Sequence, residues 1–287
     1  MRCFVKPLLL RRGSHEKKDS GSTALLGDSA RKDADNVQVR NSTVLVTGAG
    51  RRLGRAIAVS LAEAGADLIL HVHSSATADL VTQIQNLGRR VDVVAMDLAV
   101  PQAGEQLARE ALQRVGPIDI LVNSAAVFFP TPLAQLTAEE WRTMLRVNLI
   151  AGMTLAVTLG REMVTQGHGK IIQLGDWSGQ RPVRQFLPYC VAKGGLHAAT
   201  VALAKAFAPQ VQVNELVLGP VLPPAEYESP ALQVLSAQTP LQRIGQPEDV
   251  VRMVRFLIEQ GDFITGASYT VDGGWLAQAP GGMTTSL

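Results

Sequence analysis

At 287 residues, with 46% hydrophobic and 18% charged residues, the chain is long enough for one large α/β domain or two small ones, and one domain is the better expectation. The formal net charge of +2 is small, and the basic residues are spread out except near the start, so no footprint for nucleic acid or an anionic membrane stands out and a small-molecule substrate is favoured. Two cysteines, Cys3 and Cys190, give neither a disulfide framework nor a metal-ligand spacing; no metal is expected, and a reducing, cytoplasmic setting fits.

Taken in chain order, residues 1–41 form an extension whose charge-rich run Arg11 to Ser20 lacks sustained apolar periodicity and is expected to be disordered. The apolar run Phe4 to Leu10 is shorter than a signal-peptide core needs; the acid-free, basic first fifteen residues leave an organelle transit peptide as an alternative to a plain tail. No stretch approaches the roughly 20 apolar residues of a membrane span. From Ser42, short β-branched apolar runs alternate with helix-period stretches, which predicts an α/β domain over residues 42–280 and a tail at 281–287. Strands are expected at Thr43–Thr47, Asp67–Val72, Val91–Ala95, Ile118–Val122, Lys170–Leu174, Gln212–Val217 and Ser268–Val271. Helices are expected at Leu53–Ala64, Ala76–Asn86, Gly104–Val115, Ala138–Thr165, Tyr189–Phe207 and Pro247–Ile258. Seven parallel strands with helices on both faces make one Rossmann-like, doubly wound sheet.

The first strand runs into Thr47-Gly48-Ala49-Gly50-Arg51-Arg52-Leu53-Gly54, directly before an amphipathic helix. Glycines permit a tight turn and close backbone approach, and the helix N-terminus offers free N–H groups to a pyrophosphate. At the end of the second strand, where NAD binding calls for an Asp or Glu, the chain has His71-Val72-His73-Ser74-Ser75. A 2′-phosphate can accept hydrogen bonds from His73, Ser74 and Ser75 with Arg51 adding charge, so NADPH is the expected cofactor. His71 reads equally as a strand-end residue satisfied within the protein. Asp97, beside Leu98 after the third strand, is a candidate for the adenine amino group or a local turn former.

Tyr189 and Lys193 are four apart at the start of a predicted helix, which sets phenol and ammonium on one face. A cation beside the phenol is expected to lower its pKa, making Tyr189 the proton donor and Lys193 its tuner, which can also hold the nicotinamide ribose.

Together these pieces resemble the short-chain dehydrogenase/reductase family over Ser42 to Trp275: the Thr47–Gly54 loop, Asn123-Ser124-Ala125, Asn148, the Tyr189 and Lys193 pair, Gly219-Pro220 and Val271-Asp272-Gly273-Gly274. The resemblance implies a catalytic Asn148 that helps a water link Lys193 to the outside, and Asn123 securing the cofactor floor. It also implies Gly219, Pro220 and Val221 against the nicotinamide, and a homo-oligomer, commonly a tetramer.

Three departures from the ordinary family pattern resemble the pteridine reductases. Asp176 stands thirteen residues before Tyr189, where the family places a serine; Arg52 replaces the middle glycine of the loop; and Phe128-Phe129-Pro130-Thr131-Pro132-Leu133 follows the fourth strand. By that likeness Phe128 stacks the flat pterin on the nicotinamide, and Arg52 bridges the pyrophosphate and the substrate. A carboxylate at Asp176 can accept hydrogen bonds from ring N–H or amino groups and share a proton with Tyr189. The expected activity is NADPH-dependent reduction of a pterin, dihydropterin or dihydrofolate. A carbonyl reductase of the 3-oxoacyl-carrier type and a non-catalytic NADP-sensing regulator are the alternatives. Residues 221–238 are expected to cover the substrate.

Overall fold

The computed structural model describes residues 37–74, 76–223 and 229–278. Seven strands lie in one sheet: β1 (Thr43–Thr47), β2 (Asp67–Val72), β3 (Val91–Ala95), β4 (Ile120–Asn123), β5 (Gly169–Asp176), β6 (Val211–Leu218) and β7 (Ser268–Val271). Their order is β3-β2-β1-β4-β5-β6-β7 and every neighbouring pair is parallel, with Thr47 opposite His71 and Asp176 opposite Leu218. The chain winds outward from β1 to β3, then returns to β4 on the other side. The strand order therefore reverses between β1 and β4, and a crevice opens above their carboxyl ends.

The helices are α1 (Arg52–Glu63), α2 (Ala78–Asn86), α3 (Ala103–Val115), α4 (Ala138–Leu145), α5 (Ala151–Gln166), α6 (Leu187–Phe207), α7 (Ser229–Gln238) and α8 (Pro247–Glu259). Val44 and Val46 face one core with Ile57 and Leu61 of α1, Leu80 of α2 and Val254 of α8. Leu45 and Ile69 face the other, with Leu107 of α3, Leu155 and Leu159 of α5 and Phe207 of α6. The central strands are buried on both faces, as parallel strands between helical layers must be. Each fully buried Leu or Ile there contributes about 1.5–3 kcal/mol through apolar area removed from water.

All seven strands form where the hydrophobic runs place them, although β4 starts two residues later than expected and β5 extends through Asp176. The folded part also begins before Ser42: Val37 and Val39 are buried in the first core. The rest of the N-terminal extension, the C-terminal tail 281–287 and Ser75 lie outside the described residues.

The single helix expected over Ala138–Thr165 is broken by a π-turn at Arg146–Ile150 between α4 and α5. Its start is fixed by a capping box, in which Glu140 N–H donates to the Thr137 hydroxyl (3.2 Å) and Thr137 N–H donates to the Glu140 carboxylate (2.8 Å). The span Ala138–Gln166 is, by length and mean hydropathy (1.4), apolar enough to cross a membrane, against the expectation that no stretch would be. Its Leu155, Leu159 and Met163 pack into the second core, so the apolar residues are those of a helix lying on a sheet.

Candidate active site

The ends of six strands, β1 to β6, supply the site. At the end of β1, the Thr47 hydroxyl accepts N–H bonds from Ser124 (2.9 Å) and Ala125 (3.0 Å), which joins the phosphate loop to the segment after β4. Gly48 follows with φ +67°, and a Cβ on it would stand 2.9 Å from the Ala125 Cα. Gly54, in the first turn of α1, is packed harder still: a Cβ there would meet the Gly48 carbonyl oxygen at 2.3 Å. Gly50 and Arg51 complete the turn, Arg51 as the extended residue preceding the helix, and Leu53 packs partly into the core. This cradle, with its glycines at a helix N-terminus, fits a pyrophosphate.

Arg52 has φ +52° and turns its guanidinium to the carbonyls of Leu222 and Pro223 (3.2 Å to the latter). It thus ties the loop to the segment after β6, where a bridge between the pyrophosphate and a substrate was expected. At the rim of β2 and β3, His73 and Ser74 are exposed and the His73 ring stands 3.9 Å from the Asp97 carboxylate. The other Asp97 oxygen accepts from Ala99 N–H (2.8 Å), a bond that closes a local turn. Leu98 is buried and lines a small internal cavity together with Asn123, Asn148, Gln173 and Lys193.

Asn123 closes β4, its amide donating to the Gly152 carbonyl (3.1 Å) and the Gln173 side chain (3.0 Å). Its own oxygen and the Gln173 amide nitrogen are buried without a hydrogen-bond partner. Asn148 sits inside the π-turn and grips the backbone of Val127 from both sides, accepting its N–H (3.0 Å) and donating to its carbonyl (2.9 Å). This holds the Val127-Phe128 segment over the crevice. Gly219 follows β6, donating its N–H to Val271 (3.0 Å), and a Cβ on it would stand 2.4 Å from Asp272 Cβ. Pro220 and Val221 are latched in turn by Gly245, whose N–H donates to the Pro220 carbonyl (2.9 Å). The Asp272 carboxylate accepts N–H bonds from Gly274 and Leu276, giving the Val271–Gly274 motif a turn-forming role.

The reactive groups meet where β5 ends and α6 begins. Pro188, in the first turn of α6, fixes the helix start just before Tyr189, and Lys193 follows one turn on. The Tyr189 hydroxyl donates to the Asp176 carboxylate at 3.2 Å, while the other Asp176 oxygen accepts from Ser178 N–H at 2.8 Å. Burial first, and the Asp176 charge and hydrogen bond next, push the Tyr189 phenol well above its ordinary value. That corrects the expectation of a phenol lowered by its lysine. Lys193 instead donates to the Leu174 carbonyl (2.7 Å) and lies 5.7 Å from the Tyr189 ring centre. Burial pulls the Lys193 ammonium down, and the Asp176 and Glu215 carboxylates oppose the fall.

Phe128 is stacked on Phe186, ring centres 4.4 Å apart and planes within 2°, and meets the Tyr189 ring edge-on at 4.9 Å. Phe186 was not singled out from the sequence, because no local pattern pairs it with a residue 58 positions earlier. Glu215 was also missed: it is buried, held by the His197 ring (2.9 Å) and the Ser268 hydroxyl (2.6 Å), and its oxygen would meet a Cβ on Gly175 at 2.1 Å. Among the described residues no three His, Cys, Asp or Glu side chains are grouped to hold a metal.

A doubly wound parallel sheet with a glycine cradle after β1 and a Tyr189–Lys193 pair after β5 defines a nicotinamide-dependent oxidoreductase. Residues 48–276 match the family model described as enoyl-(acyl carrier protein) reductase, and the chain belongs to the short-chain dehydrogenase/reductase family. It is 33% identical over 253 residues to an uncharacterized oxidoreductase of Mycobacterium tuberculosis, covering 84% of this chain and 94% of that one. It is 32% identical over 249 residues to L-xylulose reductase of Bos taurus, covering 84% of this chain and 99% of that one. A solved putative NAD(P)-dependent gluconate 5-dehydrogenase from Beutenbergia cavernae, with bound NADP, superposes with a TM-score of 0.79 at 30% identity, over 84% of this chain and 99% of that one.

Proposed function

We propose that this oxidoreductase is an NADPH-dependent pteridine reductase acting on a C=N bond of a pterin, dihydropterin or dihydrofolate. The observation that carries the reading is the Asp176 carboxylate hydrogen-bonded to the Tyr189 hydroxyl, where the family places a serine. When bound, the nicotinamide supplies a hydride to ring carbon. Tyr189, its phenol kept protonated by burial and by Asp176, delivers the proton to ring nitrogen. Asp176 can also accept hydrogen bonds from amino and N–H groups that a ketone lacks. Lys193 stays close enough to offset the phenolate charge left behind, and its place is set by Leu174. Asn148, both of whose amide atoms hold Val127, keeps the segment before Phe128 in place, and a part in a water path to Lys193 belongs to the same proposal. The half-exposed Phe128, stacked with Phe186, offers an aromatic platform for a flat ring. His73 and Ser74 on the open rim leave room for a 2′-phosphate. Assembly into a homo-oligomer and a cytoplasmic location belong to the same proposal.

A second reading, reduction of a hydroxylated ketone, is favoured by the names of the L-xylulose reductase and gluconate 5-dehydrogenase relatives. A substrate panel separates the two: dihydrobiopterin, dihydrofolate, L-xylulose and an acetoacetyl thioester, each with NADPH and with NADH. NADPH oxidation by the pterins is expected, abolished in Tyr189→Phe while NADPH binding persists. Turnover with the sugar or the thioester alone would overturn the pterin reading.

A further inference from the structure

His71 lies on β2, is 2% exposed, and belongs to no part of the proton-transfer machinery. Its ring joins two strand ends. Nδ1 stands 3.2 Å from the backbone nitrogen of Gly48, the first glycine of the phosphate loop, and Nε2 stands 3.0 Å from the Met96 carbonyl after β3. An N–H can only donate and a carbonyl can only accept, so the two contacts together select one tautomer: neutral imidazole, bare at Nδ1 and protonated at Nε2. Burial favours that neutral form, since it is the charged ring that loses hydration.

The contact matters because of which N–H it takes. Gly48 is in the left-handed region and pressed against Ala125, so the peptide plane entering it decides where the rest of the loop points. The next peptide is held as well, by the Ala49 N–H donating to the His71 backbone carbonyl at 3.0 Å. His71 thus fixes two successive peptides of the cradle, one with its ring and one with its backbone. One neighbour acts similarly from the other side: the Thr47 hydroxyl holds Ser124 and Ala125.

We infer that His71 is a positioning residue for the dinucleotide, its Nδ1 holding the Gly48 peptide so that the loop is set for a pyrophosphate before one arrives. A loop already in its binding conformation pays no ordering cost on association, so the effect appears in affinity for the cofactor. The inference rests on the nicotinamide-cofactor reading of the cradle, and not on the choice of substrate.

Two nearly isosteric substitutions divide the two contacts. In His71→Asn the side-chain oxygen stands at the same remove from Cα as Nδ1 and can still accept from Gly48, while the Met96 contact is lost. In His71→Gln the amide reaches the Nε2 position and can still donate to Met96, while Gly48 loses its acceptor. NADPH dissociation constants are measured by quenching of protein fluorescence on the full chain, with thermal unfolding of each cofactor-free variant alongside. The expected result is affinity within about threefold of wild type for His71→Asn and roughly tenfold weaker for His71→Gln, the scale of one lost hydrogen bond, with comparable melting temperatures. Equal affinity in the two variants, or losses that follow melting temperature instead of the Gly48 acceptor, would overturn the proposal while leaving the cofactor reading intact. Wild-type protein that binds neither NADPH nor NADH would overturn both.

Discussion

Replacing Thr47 by Val tests the joint between the phosphate loop and the segment after β4. The two side chains have nearly the same shape, but Val cannot accept a hydrogen bond, so the Ser124 and Ala125 N–H groups lose their partner. A buried donor left unsatisfied costs about 1–3 kcal/mol. Ser124 and Ala125 are only half-buried, so water recovers part of this, and the lower half of the range applies to each. The sum is roughly 2–4 kcal/mol, which for a fold of this size lowers the melting temperature by roughly 5–15 °C. Thr47→Ser keeps the acceptor and is expected to lose far less, limited to the missing methyl group. The assay is thermal unfolding of the cofactor-free protein followed by circular dichroism. A Thr47→Val melting temperature within 1–2 °C of wild type, on the order of 0.5 kcal/mol, would refute the claim that this hydroxyl holds the two strand ends together.

Gly54→Ala drives a Cβ to 2.3 Å from the Gly48 carbonyl oxygen, a backbone atom that cannot swing aside. The loop must shift at a cost of about 1–3 kcal/mol, and NADPH affinity measured by fluorescence is expected to fall at least tenfold; unchanged affinity would contradict the placement of the pyrophosphate. Stability should also depend on pH through His71, whose buried ring titrates below its ordinary value of 6.5. Above that value neither state holds the proton, and the contribution is constant. As pH falls below it, the unfolded chain takes up a proton that the folded chain resists, so stability is lost toward the folded pKa. Urea unfolding between about pH 5.5 and 7.5 should show this acid-side loss in wild type and less of it in His71→Asn; identical profiles would contradict the assignment.

How much of this was legible in the sequence depends on the range of the interaction. The strands and most helix limits follow from local periodicity, and the Tyr189–Lys193 spacing and the glycine loop are local patterns too. The π-turn is not: Arg146–Ile150 carries an ordinary helical composition, and the insertion goes with Asn148 reaching across to Val127. The burial of Val37 and Val39 was hidden because two valines among polar residues are too few to show a periodicity, and only the assembled first core buries them. Tyr189 was expected to be lowered by Lys193, because the two are one turn apart. What reverses this is nearly complete burial, and after it the charge and hydrogen bond of Asp176, which arrives from the end of β5 with the wrong sign. Arg52 and Phe128 were found as unusual residues, but their partners Leu222, Pro223 and Phe186 come from distant segments. Chemistry at a residue was readable wherever neighbours in sequence decide it, and unreadable where the sheet brings in the partner.

The role of Asp176 is tested most directly by comparing kcat/KM for dihydrobiopterin and for a simple ketone in wild type and Asp176→Ser, with NADPH saturating. Serine restores the hydroxyl that polarises a ketone and removes the carboxylate beside Tyr189. The account predicts that pterin reduction falls on the order of 100-fold while ketone reduction holds or rises. Pterin reduction at the wild-type rate in Asp176→Ser would contradict it.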